Sequence, residues 1–157
     1  MYIANLYRRR GAGLIEIRVT SPNADGPQRE TIVGTSGHQG YKRRGAALRV
    51  IRHLLLSGPH EVYDANGDLI EPTAVEIAAY PVPKLLGILI GRPVRPYIGQ
   101  VRRRSDGRYE WTVTSRNNKV VLTSHNQGYE RAATALATLR ILCHGGPHQV
   151  NDEVSDA

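Results

Sequence analysis

The chain repeats itself. Thr35-Ser36 returns as Thr123-Ser124, Gln39-Gly40-Tyr41 as Gln127-Gly128-Tyr129, and Gly58-Pro59-His60 as Gly146-Pro147-His148. The offset is 123 − 35 = 88 residues, and it holds without a gap between those landmarks: Leu48 falls on Leu136, Arg52 on Arg140, Leu54 on Leu142 and Val62 on Val150. A repeat of this length constrains the fold more than any composition does. Whatever one half builds the other must build too, and each half is too small to hide its own apolar face.

Each half reads as β-β-β-α-β. In the first, Tyr2 to Tyr7 is a strand that ends in Arg8-Arg9-Arg10, and Gly11-Ala12-Gly13 is a turn without bulky side chains. Ile15, Ile17 and Val19 then alternate with Glu16 and Arg18, the period of a half-buried strand. Ser21 to Gln28 is a loop by its Pro, Asn, Asp and Gly content, and Thr31 to Thr35 is a third strand. A helix is expected from about Tyr41 to Ser57, with Ala47, Leu48, Ile51, Leu54 and Leu55 on one stripe and Gly58-Pro59 as its stop. Glu61 to Asp64 is a short last strand.

The second half starts near Tyr97 and carries Arg102-Arg103-Arg104 where the first has its arginine run. Asp106-Gly107 is a hairpin turn, Tyr109, Trp111 and Val113 take the core positions, and Asn117-Asn118 turns into a strand from Lys119 to Thr123. Its helix repeats the stripe as Ala135, Leu136, Leu139, Leu142 and Cys143. Gln149 to Asp152 is a short last strand, and the acidic residues after it are expected to fray. The halves are thus 1–68 and 97–157, joined by 69–96. A three-stranded meander with one helix leaves free edges and an apolar face. Pairing two such units should give an α+β fold: one continuous antiparallel sheet with both helices on one side, related by a pseudo-twofold axis.

The connector opens on Glu71-Pro72-Thr73, with a short helix over Ala74 to Tyr80 as one reading. It later holds the apolar run Leu85, Leu86, Ile88, Leu89 and Ile90, too short for a bilayer span of about 20 residues. The run either lies on the core or forms an exposed patch for a protein partner or a second copy of the chain. The N-terminus has no long apolar stretch before its charges, so no secretory signal is read there, and a cytoplasmic protein is the default expectation.

Within the second half, Asp106-Gly107-Arg108-Tyr109-Glu110-Trp111, then Asn117-Asn118-Lys119-Val120-Val121, then Gly128-Tyr129 before a helix, resembles the YegP-like family of small uncharacterised proteins. The resemblance covers both halves and is stronger over 97–150. Asn118 stands where that family usually has Gly, and Val113 where it usually has Leu. The resemblance implies tandem or dimeric β-β-β-α-β units that form a single sheet and exchange their last strands. It brings no catalytic residues and no settled biochemical function.

Charge is the best functional lead. Lys and Arg total 21 against 14 Asp and Glu, a net +7, which favours an acidic partner, nucleic acid first. Arg8, Arg9, Arg10, Lys42, Arg43, Arg44, Arg102, Arg103 and Arg104 are the candidate phosphate contacts, because a guanidinium donates two parallel hydrogen bonds to phosphate. The plain alternative is that strand-end charges only prevent edge-to-edge association. No helix-turn-helix, zinc-finger or RNP-type pattern is present.

A metal site from Cys143, His144 and His148 is weighed and set aside. Cys143 falls on the apolar stripe, the first half has no equivalent cluster, and a structural zinc wants four ligands. His60 and His148, each at a helix end, are explained by the helix dipole. Ser36 and Ser124 lie near His38 and His125 without an acidic partner at a defined place, so they read as strand ends that bond local backbone. The sequence therefore predicts a non-catalytic binding module without metal or cofactor. Its partner is either nucleic acid, through the arginine runs, or a protein, through Leu85–Ile90 or the open sheet face. A small bacterial or phage accessory protein suits the composition.

Overall fold

Alternation decides the sheet. In the computed structural model, which describes residues 1–11, 13–22, 31–36, 40–80, 97–124 and 128–156, the strands are β1 (Ile3–Arg8), β2 (Ile15–Ser21), β3 (Thr31–Thr35), β4 (Glu61–Tyr63), β5 (Ile98–Arg103), β6 (Tyr109–Thr114), β7 (Val120–Ser124) and β8 (Gln149–Asp156). Among the described residues three helices accompany them: α1 (Arg44–Leu56), α2 (Ala74–Ala79) and α3 (Ala132–His144). The strands form one eight-stranded sheet in the order β4-β5-β6-β7-β3-β2-β1-β8.

The sheet is mixed, not antiparallel throughout. β1–β2–β3 and β5–β6–β7 are antiparallel meanders, and they meet where Gly34 faces Ser124 and Thr35 faces Thr123, again antiparallel. The outer pairs are parallel. β4 lies along β5 with Glu61 opposite Ile98, and β8 lies along β1 with Ile3 opposite Gln149. Followed through these pairings, β3 and β4 run antiparallel to each other, as do β7 and β8, so neither long helix is a parallel crossover; the parallel pairs form between strands of different halves. So the last strand of each half pairs with the first strand of the other. β8 also runs to Asp156 as a continuous edge strand, where fraying was expected.

The two long helices cover one face. α1 packs on β2 and β8, α3 on β4, β5 and β6, and the helices touch each other. Between helices and sheet lies one core that contains Leu6, Ile17, Val19, Ile51, Leu54, Trp111, Val113, Leu122, Leu139 and Leu142, all fully buried. The α1 stripe buries all five expected residues. In α3, Leu136 is only partly covered, while His144 is buried at the end of the helix. α1 begins at Arg44, later than the sequence suggests. Tyr41 is spent on a bridge to Ile15, with Ile15 N donating to Tyr41 O at 2.7 Å and Tyr41 N to Ile15 O at 2.8 Å.

The third helix lies in the connector and is capped by a reciprocal pair: Thr73 Oγ1 accepts from Glu76 N at 3.1 Å, and Glu76 Oε1 accepts from Thr73 N at 2.9 Å. At its end, the Tyr80 ring is wedged between the two Gly-Pro turns. A Cβ on Gly58 or on Gly146 would stand 2.7 Å from that ring or its hydroxyl. The hydroxyl accepts from Gly146 N at 2.8 Å and donates to Cys143 O at 3.2 Å. The expected apolar run Leu85–Ile90, the loop over 23–30, and His38, His125, Gln39 and Gln127 lie outside the described residues. Among the described residues no helix is long and apolar enough to cross a membrane.

Candidate functional site

Strand direction places the basic residues. β1 carries Arg8 to one end of the sheet, and Arg9 N donates to Leu14 O at 2.8 Å to close the turn into β2. The Ile15–Tyr41 bridge then brings Lys42, Arg43 and Arg44 to that same end. Arg8, Arg10, Lys42, Arg43 and Arg44 are all exposed there. Arg9 is half-buried against Glu16, 3.6 Å away. Burial alone would raise the Glu16 carboxyl, but hydrogen bonds from Thr35 and Arg18 and the charges of Arg18 and Arg9 outweigh it and hold the pKa low. Arg9 is thus anchored on an ionised partner, while its neighbours face outward. α1 has no acidic residue in its first turn.

The second arginine run is built the same way and lies elsewhere. β7 runs opposite to β3, so β5 runs opposite to β1, and Arg102–Arg104 come to the far end of the strands. Five strand spacings also separate β1 from β5, roughly 24 Å across the sheet. The two runs therefore form two separate patches at diagonally opposite corners. The second is also more compensated. Tyr129 bridges to Tyr109 and brings Glu130 and Arg131 beside the run, and Arg104 pairs with Asp106 at 3.2 Å. Arg102 and Arg103 are exposed.

The open face of the sheet, opposite the helices, is polar. It presents Asn5, Tyr7, Glu16 and Arg18 from β1 and β2, Thr35 and Thr123 from the central pair, and Gln100, Glu110, Thr112 and Thr114 from β5 and β6. Arg18 lies over the Tyr7 ring, 4.6 Å from its centroid. Exposed apolar side chains lie instead at Met1, Leu56, Val120 and Ile141 and, at the start of the connector, at Leu69, Val75 and Ile77.

The two repeated histidines do structural work that the dipole argument missed. His60 Nδ1 accepts from Tyr97 N at 2.9 Å, and its Nε2 lies 2.9 Å from Leu54 O. His148 Nδ1 accepts from Tyr2 N at 2.9 Å, and its Nε2 lies 2.9 Å from Ile141 O. Each ring must be neutral with its proton on Nε2, and each joins the end of one helix to the first strand of the other half. Burial pushes His60 down to about 4 and lowers His148 as well. Ser36 and Ser124 likewise bond across the sheet, not locally: Ser36 Oγ accepts from Ile17 N at 2.9 Å and Ser124 Oγ from Trp111 N at 3.1 Å. Cys143 is fully buried, with its thiol pushed up to about 12, and His144 Nε2 lies 2.8 Å from His60 O. Among the described residues no group of three His, Cys, Asp or Glu side chains converges as metal ligands would.

Sequence reasoning did not foresee two cavities, each between one long helix and the third strand of the other half. One of about 480 Å³ involves Tyr41, Arg49, Val50, Tyr97 and Lys119; the other, of about 410 Å³, involves Tyr2, Val33, Tyr129 and Thr138. The repeated Gly-Tyr was the visible signal, but the strand facing it comes from the other half and is not legible from spacing.

No family model matches the chain, and no curated protein matches its sequence. Two solved structures match its fold. An NMR structure of yegP from E. coli, a protein of unknown function, is 12% identical, with a TM-score of 0.52 over 99% of this chain and 91% of that one. An NMR structure of a UPF0339 protein from Shewanella oneidensis is 10% identical, with a TM-score of 0.51 over 99% of this chain and 88% of that one. At the level of fold, the chain is similar to YegP and UPF0339 proteins, in line with the resemblance carried by Asp106–Trp111 and Gly128-Tyr129.

Proposed function

We propose that the chain is a non-catalytic binding module whose Arg8–Arg10 and Lys42–Arg44 cluster engages nucleic acid phosphates. The observation that carries this reading is the Ile15–Tyr41 bridge, which gathers two basic runs 34 residues apart (42 − 8) into one exposed corner, where Glu16 contacts Arg9. Six cations at one corner suit a short stretch of backbone. Arg102, Arg103 and Arg104 form a second, weaker contact at the opposite corner, so a single straight duplex is not tracked by both. We further infer that 1–68 and 97–157 are copies of one unit, related by a pseudo-twofold axis between β3 and β7 and forming one pseudo-dimeric domain. The 88-residue offset and the matching roles of His60 and His148 support this.

A second reading is favoured by the exposed Leu69, Val75 and Ile77, which lead in sequence toward Leu85–Ile90. There the chain is a protein-interaction module, an inhibitor or adaptor. Anisotropy with labelled duplex and single-stranded oligonucleotides across a salt series separates the two. The phosphate reading expects binding at low salt with a steep slope. Replacing Arg8, Arg10, Lys42 and Arg43 by Ala should flatten that slope by up to about 3.6 on duplex DNA, at roughly 0.9 per phosphate contact. Arg102→Ala with Arg103→Ala should flatten it less. Absence of binding at low salt overturns the phosphate reading and leaves the protein partner.

A further inference from the structure

The larger cavity differs from its counterpart in what lines it. At the offset of 88, Tyr41 corresponds to Tyr129, Arg49 to Ala137, Val50 to Thr138, and Lys119 to Thr31. Among the described residues, only the cavity of about 480 Å³ has cations in its wall, Arg49 from α1 and Lys119 from the turn before β7. Both side chains are exposed, and among the described residues neither has a carboxylate partner.

The tyrosines differ in the same sense. In the smaller cavity the Tyr2 hydroxyl is directed at Thr138 O, 3.4 Å away. In the larger one neither the Tyr41 nor the Tyr97 hydroxyl has a hydrogen-bond partner among the described residues, and the two phenols are close enough that Tyr41 raises the Tyr97 pKa, after the larger effect of burial. Both remain O–H donors at neutral pH. The Tyr97 ring itself is fixed, at 4.7 Å from the His53 ring and 5.4 Å from the His60 ring. Val50, Val120 and Val121 supply an apolar wall.

Two cations and two hydroxyl donors with no protein partner among the described residues, set around an apolar floor, describe a site that can receive an acceptor. Its volume is within the range of small-molecule sites, about 300–1,000 Å³. We propose that this cavity binds a small organic anion, a carboxylate or phosphate group on an aromatic body. The anion would lie between Arg49 and Lys119 and accept from the tyrosine hydroxyls, with its ring against the valines. Guanidinium and phenol donors both favour an ionised acceptor over a neutral one. The site does not use the Arg8–Arg10 corner, so it stands or falls apart from nucleic-acid binding.

Amide chemical-shift titration of the full chain tests it, with benzoate, phenyl phosphate, benzyl alcohol and inorganic phosphate as probes. Saturable shifts confined to the region of Tyr41, Val50, Tyr97 and Val121 are expected from benzoate or phenyl phosphate, and which of the two binds tighter identifies the anionic group. Benzyl alcohol and inorganic phosphate should bind at least ten-fold more weakly. Arg49→Ala with Lys119→Thr, which copies the counterpart cavity at two exposed positions, should weaken the anion at least ten-fold while leaving the remaining spectrum unchanged. Saturation by none of the probes, equal affinity for inorganic phosphate, or binding untouched by the double substitution would each overturn the proposal.

Discussion

A neutral imidazole ties the end of each long helix to the other half of the chain. His60 is 3% exposed and holds Tyr97 N with one nitrogen and Leu54 O with the other. Protonation would set an N–H against the Tyr97 N–H. The folded pKa of about 4 lies below the ordinary histidine value near 6.5, so the unfolded chain binds more protons between those values. Stability is therefore full above pH 6.5 and is lost as pH falls toward 4. Histidine 60 alone should contribute a loss of about 2 kcal/mol by pH 5, and His148 adds in the same direction. Urea midpoints at pH 7 and pH 5 measure this. His60→Gln should cost about 1–3 kcal/mol at pH 7, because a buried donor loses its acceptor, and should lose less on acidification. An unchanged acid slope in that variant would show that the proton is taken up elsewhere.

At the scale of elements, the weak point is the central seam. Among the described residues only the pairs Gly34–Ser124 and Thr35–Thr123 join β3 to β7, and the Trp111 ring lies over Gly34, with Cη2 2.6 Å from where a Cβ would stand. Trp111 is fully buried, so it cannot yield without opening the core. Gly34→Ala should destabilise by about 1–3 kcal/mol and shift the emission of this lone tryptophan, whereas Gly45→Ala, with open space around it, should do neither. The elements themselves were legible. Ile15, Ile17 and Val19 alternate because one face is buried, and Ala47, Leu48, Ile51, Leu54 and Leu55 recur at helical spacing for the same reason. Periodicity reports which face of an element is covered, not what covers it. The family resemblance implied that last strands are exchanged, but periodicity did not show that β4–β5 and β8–β1 run parallel, nor the role of His60 and His148 across those pairs. The arginine runs were visible as residues. Their placement at opposite corners follows from strand direction, which no local pattern encodes.

For the whole molecule, neither half owns a complete sheet. β1 needs β8 and β5 needs β4, so a fragment of 1–68 or 97–157 lacks a strand, a histidine anchor and half the core. Neither fragment should fold as a monomer, and mixing them should restore the buried emission of Trp111; a fragment that is monomeric and unfolds cooperatively would contradict this. The β1–β8 pairing has a further consequence for how the protein is made. Ile3 lies opposite Gln149, so the free edge of β1 leaves the ribosome long before its partner exists. At about 5–20 residues per second, the wait is on the order of ten seconds. During that interval a nascent chain exposes an unpaired strand edge, and neighbouring nascent chains on one message each display the same edge and, later, the same β8. Dense translation thus raises the rate at which strand exchange between chains competes with closure within one.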